Sequence, residues 1–158
     1  VELPFKYTSI LRELWENGEL QPQWNSQVEE VRVIKMLNKN TMINYQISAP
    51  AAGGLVTQRD FVAVIRIEKE GEDTYWFSFC SIDYSGMQKH SDYVRGIHMP
   101  GSGFKLQMAP DDPNKTIFTW IMFADMKFGF IPKSIINKLL PSQIKLYYEN
   151  LNLRMASL

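Results

Sequence analysis

An α+β fold, a curved antiparallel sheet followed by a long helical segment, is what the sequence predicts. Three observations predict it. Short segments with alternating apolar and polar residues follow one another through tight turns, which implies strands paired antiparallel. One of them, Thr116–Ala124, is strongly apolar and aromatic, as a strand in mid-sheet or covered on both faces would be. From Pro132 onward, Ile136, Leu140, Ile144, Tyr147, Leu151 and Met155 recur at spacings of 4, 4, 3, 4 and 4, one continuous helical face.

The elements follow in order. Thr8–Asn17 reads as a short helix, capped by Thr8 or Ser9, with Ile10, Leu11, Leu14 and Trp15 on one side and Asn17-Gly18 as the stop. Leu20–Asn25, with Pro22, is a connection that Trp24 anchors to the core. Val28–Leu37 is a strand with Val31 and Val33 on one face, Asn38-Lys39-Asn40 its turn, and Thr41–Ser48 the returning strand. Arg59–Glu68 and Thr74–Ile82 flank a turn at Glu70–Asp73. A polar loop around Gly86–Ser91 leads to a strand at Tyr93–Met99. The turn Pro100-Gly101-Ser102-Gly103 leads into Phe104–Met108, and Ala109–Asn114, with two prolines, is the turn before Thr116. Pro141 interrupts the helical stripe. A proline in a helix interior costs about 3 kcal/mol, so the expectation is one helix ending near Leu140 and a second with Pro141 in its first turn.

At 158 residues the chain is one domain with room for a sizeable core. Seventeen basic and seventeen acidic residues cancel, so nothing points to nucleic acid. The single cysteine, Cys80, excludes an internal disulfide and fits a reducing compartment, as a buried packing residue. No apolar run reaches the ~18 residues of a membrane span. Eight methionines, nine phenylalanines, seven tyrosines and four tryptophans supply either an ordinary core or an adaptable cavity lining, because methionine repacks around irregular shapes.

Catalytic and metal constellations are thin. His90 and His98 have no second histidine or cysteine at metal-ligand spacing. No Gly-x-Ser-x-Gly elbow presents a nucleophile, and Gly101-Ser102-Gly103 lacks the frame of a phosphate loop. No motif implies a cofactor. Arg59-Asp60 reads as a charged pair or a capping device with a structural role. The stretch with most character is Ala49–Val64, APAAGGLVTQRDFVAV. Its small-residue loop carries adjacent glycines, Gly53 and Gly54, and an apolar pair, Leu55 and Val56, at the tip. Such a tip either tucks against the protein's own core or touches a membrane.

AAGGLVTQRDFV resembles the loop-and-strand signature of the START domain, the lipid-transfer domain related to steroidogenic acute regulatory protein, nearest its sterol- and carotenoid-binding branch. Trp24-Asn25, Tyr93-Val94-Arg95-Gly96, Thr119-Trp120-Ile121, Asp125-Met126-Lys127 and Ile131–Asn137 match in the same order over essentially the whole chain. The resemblance puts Val1 near the end of the family's third strand, a domain truncated at its start. It implies a helix-grip fold: a U-shaped sheet around a hydrophobic tunnel with the C-terminal helix as lid. It implies a non-enzymatic carrier of one sterol-like lipid or carotenoid that touches membranes transiently through Gly53–Val56. It also implies a cytoplasmic location, peripheral to organelle membranes, mitochondrial or endosomal. Strand alternation then puts Met42, Asn44, Gln46 and Ser48, with Phe61, Ala63, Ile65 and Ile67, on the lining, and the helix adds Ile144, Tyr147, Leu151 and Met155. Sterol-binding relatives pair an acid and an arginine inside the tunnel. Gln46 and Ile65 stand at those positions, so both charges are absent together. A lipid-gated sensor is the rival of another class, separated by a vesicle-transfer assay. An enzyme of the same architecture is the third reading, separated by loss of turnover on replacing His90 or His98.

Overall fold

Strand alternation and short turns do build an antiparallel sheet, and the C-terminal segment is helical. The computed structural model describes the whole chain, Val1–Leu158. Its elements are β1 (Glu2–Leu3), α1 (Tyr7–Trp15), α2 (Gln21–Trp24), β2 (Val28–Asn38), β3 (Thr41–Ser48), β4 (Arg59–Glu70), β5 (Thr74–Ser81), β6 (Val94–Arg95), β7 (Ile97–His98), β8 (Ser102–Ala109), β9 (Asp112–Ile121), β10 (Ala124–Asp125) and α3 (Lys133–Ala156). The main sheet runs β1-β9-β8-β5-β4-β3-β2, with β6 added beside β4, and β10 pairs with β7.

Both faces of the sheet are covered at different places. On the inner face, Ile10 and Leu14 of α1 and Tyr147, Leu151 and Met155 of α3 pack on Phe77, Phe104, Leu106 and Phe118. On the outer face, Ile43, Tyr45, Ile47 and Val62 lie under Ile82, Tyr84, Met87 and Tyr93 from the segment between β5 and β6. Two polar devices tie the far end of α3 to the N-terminal helices. Arg154 Nε donates to Oε1 of the buried Glu13 at 2.8 Å, and Asn150 Nδ2 donates to Asn25 Oδ1 at 3.3 Å.

Several expectations change. The α1 helix begins after Lys6, with no side-chain cap from Thr8 or Ser9; the Lys6 carbonyl accepts from the Ser9 and Ile10 amides instead. The connection Leu20–Asn25 is partly helical, because Pro22 sits in the first turn of α2, where a missing N–H goes unnoticed. Trp24 packs against the core as expected.

The segment Tyr93–Met99 is not one strand. Val94–Arg95 runs parallel to Arg59–Asp60, and Ile97–His98 turns to β10. Gly96 separates them, and a Cβ there would lie 2.3 Å from the Phe61 ring. Ser102 and Gly103 belong to β8, where the backbone passes so close to β5 that a Cβ on Gly103 would meet the Phe77 carbonyl at 2.4 Å. β9 starts at Asp112, stops at Ile121 and is next to last in the sheet; Ile121 is 43% exposed, so its outer face is open. Finally, α3 is continuous through Pro141, whose ring lies on the exposed side of the helix.

Candidate ligand-binding cavity

Between the inner sheet face and the first half of α3 lies a cavity of about 220 Å³. Period-two alternation aims Met42, Asn44, Gln46 and Ser48 of β3 into it. β4 is paired so that Ile65 stands opposite Met42, Ala63 opposite Asn44 and Phe61 opposite Gln46, and these three face the cavity too. Ile67 continues the same face but lies past the cavity, paired with Phe77 in the main core.

On α3 the residues over the cavity are Leu139, Leu140, Gln143 and Tyr147. Of the four helix residues expected there, Tyr147 alone lines it. Ile144 is half-buried and off the lining, while Leu151 and Met155 pack on the core near α1. One helix serves two surfaces: its first half roofs the cavity and its second half closes the core. Gln27 secures the boundary, donating from Nε2 to the Gln143 carbonyl and to Gln143 Oε1, both at 2.8 Å.

The walls are mostly aromatic and aliphatic, with Phe77, Phe79, Phe104 and Trp120 from β5, β8 and β9. The volume is below the ~300–1,000 Å³ of typical ligand pockets. Met42, Met122 and Met126 in the lining are side chains that repack as a cavity swells.

Five polar side chains of the lining have a buried atom without a partner in the protein: Asn25 Nδ2, Gln27 Oε1, His98 Nδ1, Trp120 Nε1 and Tyr147 Oη. An unpaired buried polar atom costs about 1–3 kcal/mol, and these atoms gather around one cavity. His98, Trp120 and the β5 and β8 aromatics were not among the expected site residues. Alternation along β5 was the available signal for Phe77 and Phe79. Nothing local marks His98, which depends on the break at Gly96.

Burial lowers the His98 pKa to about 4. The unfolded imidazole titrates near 6.5, so between these values the unfolded state binds the extra proton and stability falls as pH falls. We expect His98 to account for a loss of about 3 kcal/mol between pH 7 and pH 4. Urea unfolding of the parent and of His98→Phe at both pH values measures it. Equal pH dependence in the two proteins would show a solvated imidazole.

The charges in the signature stretch separate. Arg59 and Asp60 are neighbours on a strand, so they point to opposite faces and do not pair with each other. Asp60 is bound outside by Arg95. Arg59, 3% exposed, turns to the cavity mouth. It donates to the carbonyls of Met126 at 3.0 Å and Lys127 at 3.3 Å, and to that of Thr57. Burial lowers its pKa. One guanidinium thus joins the Ala49–Gln58 loop to the segment leading into α3.

That loop is closed by a bridge between Ala51 and Val56, with Gly53 and Gly54 at positive φ of 65° and 93°. The bridge divides the apolar pair. Leu55 is 64% exposed, whereas Val56 is buried and lines the cavity. The segment on the other side of Arg59 carries the fully exposed Phe130.

Comparison with known proteins agrees with this architecture. Residues 1–152 match the family model of the START domain. The chain is 36% identical over 145 residues to "Steroidogenic acute regulatory protein, mitochondrial" of Danio rerio, covering 92% of this chain and 50% of that protein. It is 38% identical over 149 residues to the protein of the same name from Salvelinus fontinalis, covering 94% and 50%. The chain thus spans about half the length of these relatives. Human StAR-related lipid transfer protein 5 superposes with a TM-score of 0.88 at 18% identity, over 99% of this chain and 73% of that one, a likeness of fold.

Proposed function

This chain belongs to the START domain family, and on that premise we propose that it is a non-enzymatic lipid carrier, binding one sterol-like molecule beneath α3 and moving it between membranes. One observation carries the reading: an apolar cavity of about 220 Å³ whose walls hold unpartnered polar atoms and one charged side chain, Arg59. Each ~100 Å² of apolar lipid surface moved into such a cavity contributes about 2.5 kcal/mol, which needs no catalyst. The membrane contact in this reading is the exposed pair Leu55 and Phe130 on either side of the Arg59 junction, with Lys133 near enough in sequence to meet anionic headgroups. The two relatives named as mitochondrial support an organelle surface as the place of work.

Cholesterol transfer from donor to acceptor vesicles is the test. The parent protein is expected to transfer, and Leu55→Asp with Phe130→Asp to slow transfer about tenfold or more while binding of detergent-solubilised cholesterol stays within twofold. A binding loss as large as the transfer loss would show that the pair supports the cavity. Tight binding with no vesicle transfer by the parent would replace the carrier with a lipid-gated sensor.

A more apolar cargo such as a carotenoid is the second reading, favoured by a specific feature: Gln46 and Ile65 leave the sheet face without a charge where the family resemblance expects an acid and an arginine.

A further inference from the structure

We propose that His98 is the polar anchor of the cavity, and that its imidazole hydrogen-bonds the single hydroxyl or keto oxygen of an otherwise apolar lipid. The inference rests on the lipid-carrier reading and names the group that the cavity recognises.

Geometry carries it. The imidazole stacks on Phe61 with ring centroids 4.4 Å apart and planes 21° apart, and meets the Phe79 edge at 4.9 Å. Its backbone amide donates to Ser81 Oγ at 2.8 Å, and pairing with Ala124 fixes β7. Gly96 leaves the space into which the Phe61 ring fits. The ring is thus held before any ligand arrives, although its Nδ1 has no partner in the protein. A polar group that is rigidly placed and unpaired is a recognition element, because an incoming partner meets no ordering entropy in the side chain.

Position supports the same assignment. Phe61 is the cross-strand partner of Gln46, and Phe79 that of Ile65. The imidazole therefore packs on the cross-strand neighbours of the two strand positions that carry no charge in this chain. Burial keeps it uncharged at neutral pH, with one nitrogen donating and the other accepting. A hydroxyl can satisfy either nitrogen, and a keto oxygen can take the N–H. A fully apolar hydrocarbon can satisfy neither.

The test uses cholesterol and cholestane, the same ring system without the hydroxyl. The chain has two histidines, so ¹⁵N-histidine labelling of the unsubstituted protein gives two imidazoles to follow, with the exposed His90 as internal control. Cholesterol is expected to shift the His98 ring nitrogens and cholestane to leave them near their starting values. In His98→Phe, which keeps the aromatic stack, cholesterol affinity is expected to fall about tenfold and cholestane affinity to stay within twofold. Identical nitrogen shifts with both lipids, or undiminished cholesterol affinity in a folded His98→Phe, would overturn the assignment. If His98→Phe does not fold, the nitrogen shifts of the unsubstituted protein decide alone. If neither lipid binds the unsubstituted protein, the carrier reading fails, and the anchor with it.

Discussion

Arg95→Met is expected to lower the unfolding free energy by about 3–5 kcal/mol. The reason is Asp60, which is 0% exposed on the outer face of β4. Arg95 grips it with two donors, Nε to Oδ1 at 2.9 Å and Nη2 to Oδ2 at 2.7 Å, while the Tyr45 hydroxyl donates to Oδ2 at 3.2 Å. The hydrogen bond to Asp60 raises the arginine pKa, and burial followed by the Asp60 charge pushes Tyr45 up to about 12. Methionine leaves the carboxylate in a site it shares with apolar neighbours. It also releases the Gln88 carbonyl, which accepts from Arg95 at 3.2 Å and helps hold the covering segment over Ile43, Tyr45 and Ile47. Arg95→Lys should recover little, because an ammonium cannot reproduce the two-pronged contact. Asp60→Asn with Arg95→Met should recover most of the loss, since no orphan charge remains. Urea unfolding of the four proteins measures the series. An Arg95→Met protein within 1 kcal/mol of the parent would mean that the pair is wet.

Ile65→Arg is expected to cost about 3 kcal/mol. Ile65 faces the cavity between Met42 and Phe79, where the only charged lining residue is another cation, Arg59. Adding Gln46→Glu should return part of the loss. The return is incomplete for a geometric reason. Gln46 stands opposite Phe61 and Ile65 opposite Met42, so the two positions are offset by four residues along β4, roughly 13 Å. Asn44 and the small Ala63 lie between them, so an arginine has to reach along the face to meet the carboxylate. The double variant should also bind cholesterol more tightly relative to its ketone analogue. An Ile65→Arg melt equal to the parent's would show that the β4 face is misassigned.

Where local periodicity decides a position, the sequence is readable. The bounds of β3 are as expected from alternation, and the same alternation brings together Met42, Asn44, Gln46, Phe61, Ala63 and Ile65 around one cavity. The helix face was legible as a stripe but not as a rotation. Neighbours on a helix differ by about 100°, so a broad apolar stripe can roof a cavity with Leu139 and Gln143 or fill a core with Leu151 and Met155. Partners from the α2–β2 connection and from α1 settle which, and they are more than a hundred residues away. Separation also hides Asp60–Arg95, 35 residues apart, and Glu13–Arg154, 141 apart, since charge complementarity has no period. His98 was legible as a histidine and not as a lining residue, because the break at Gly96 turns its strand to a different partner.

Pro141 divides α3 in the language of the helix–coil transition. Without an amide hydrogen at residue 141, the Asn137 carbonyl has no donor one turn ahead, and Lys133–Leu140 is left as a short block ahead of the proline. A block of that length is below the ~12–15 residues that hold a helix together in water. Beyond the proline, the block attached to Gln27, Asn25 and Glu13 has its own tertiary support. Leu139 and Leu140 of the leading block are half-buried and line the cavity. On the lipid-carrier reading, a lipid filling that space would act as a missing piece of hydrophobic core, and the helicity of these two turns is expected to depend on cargo.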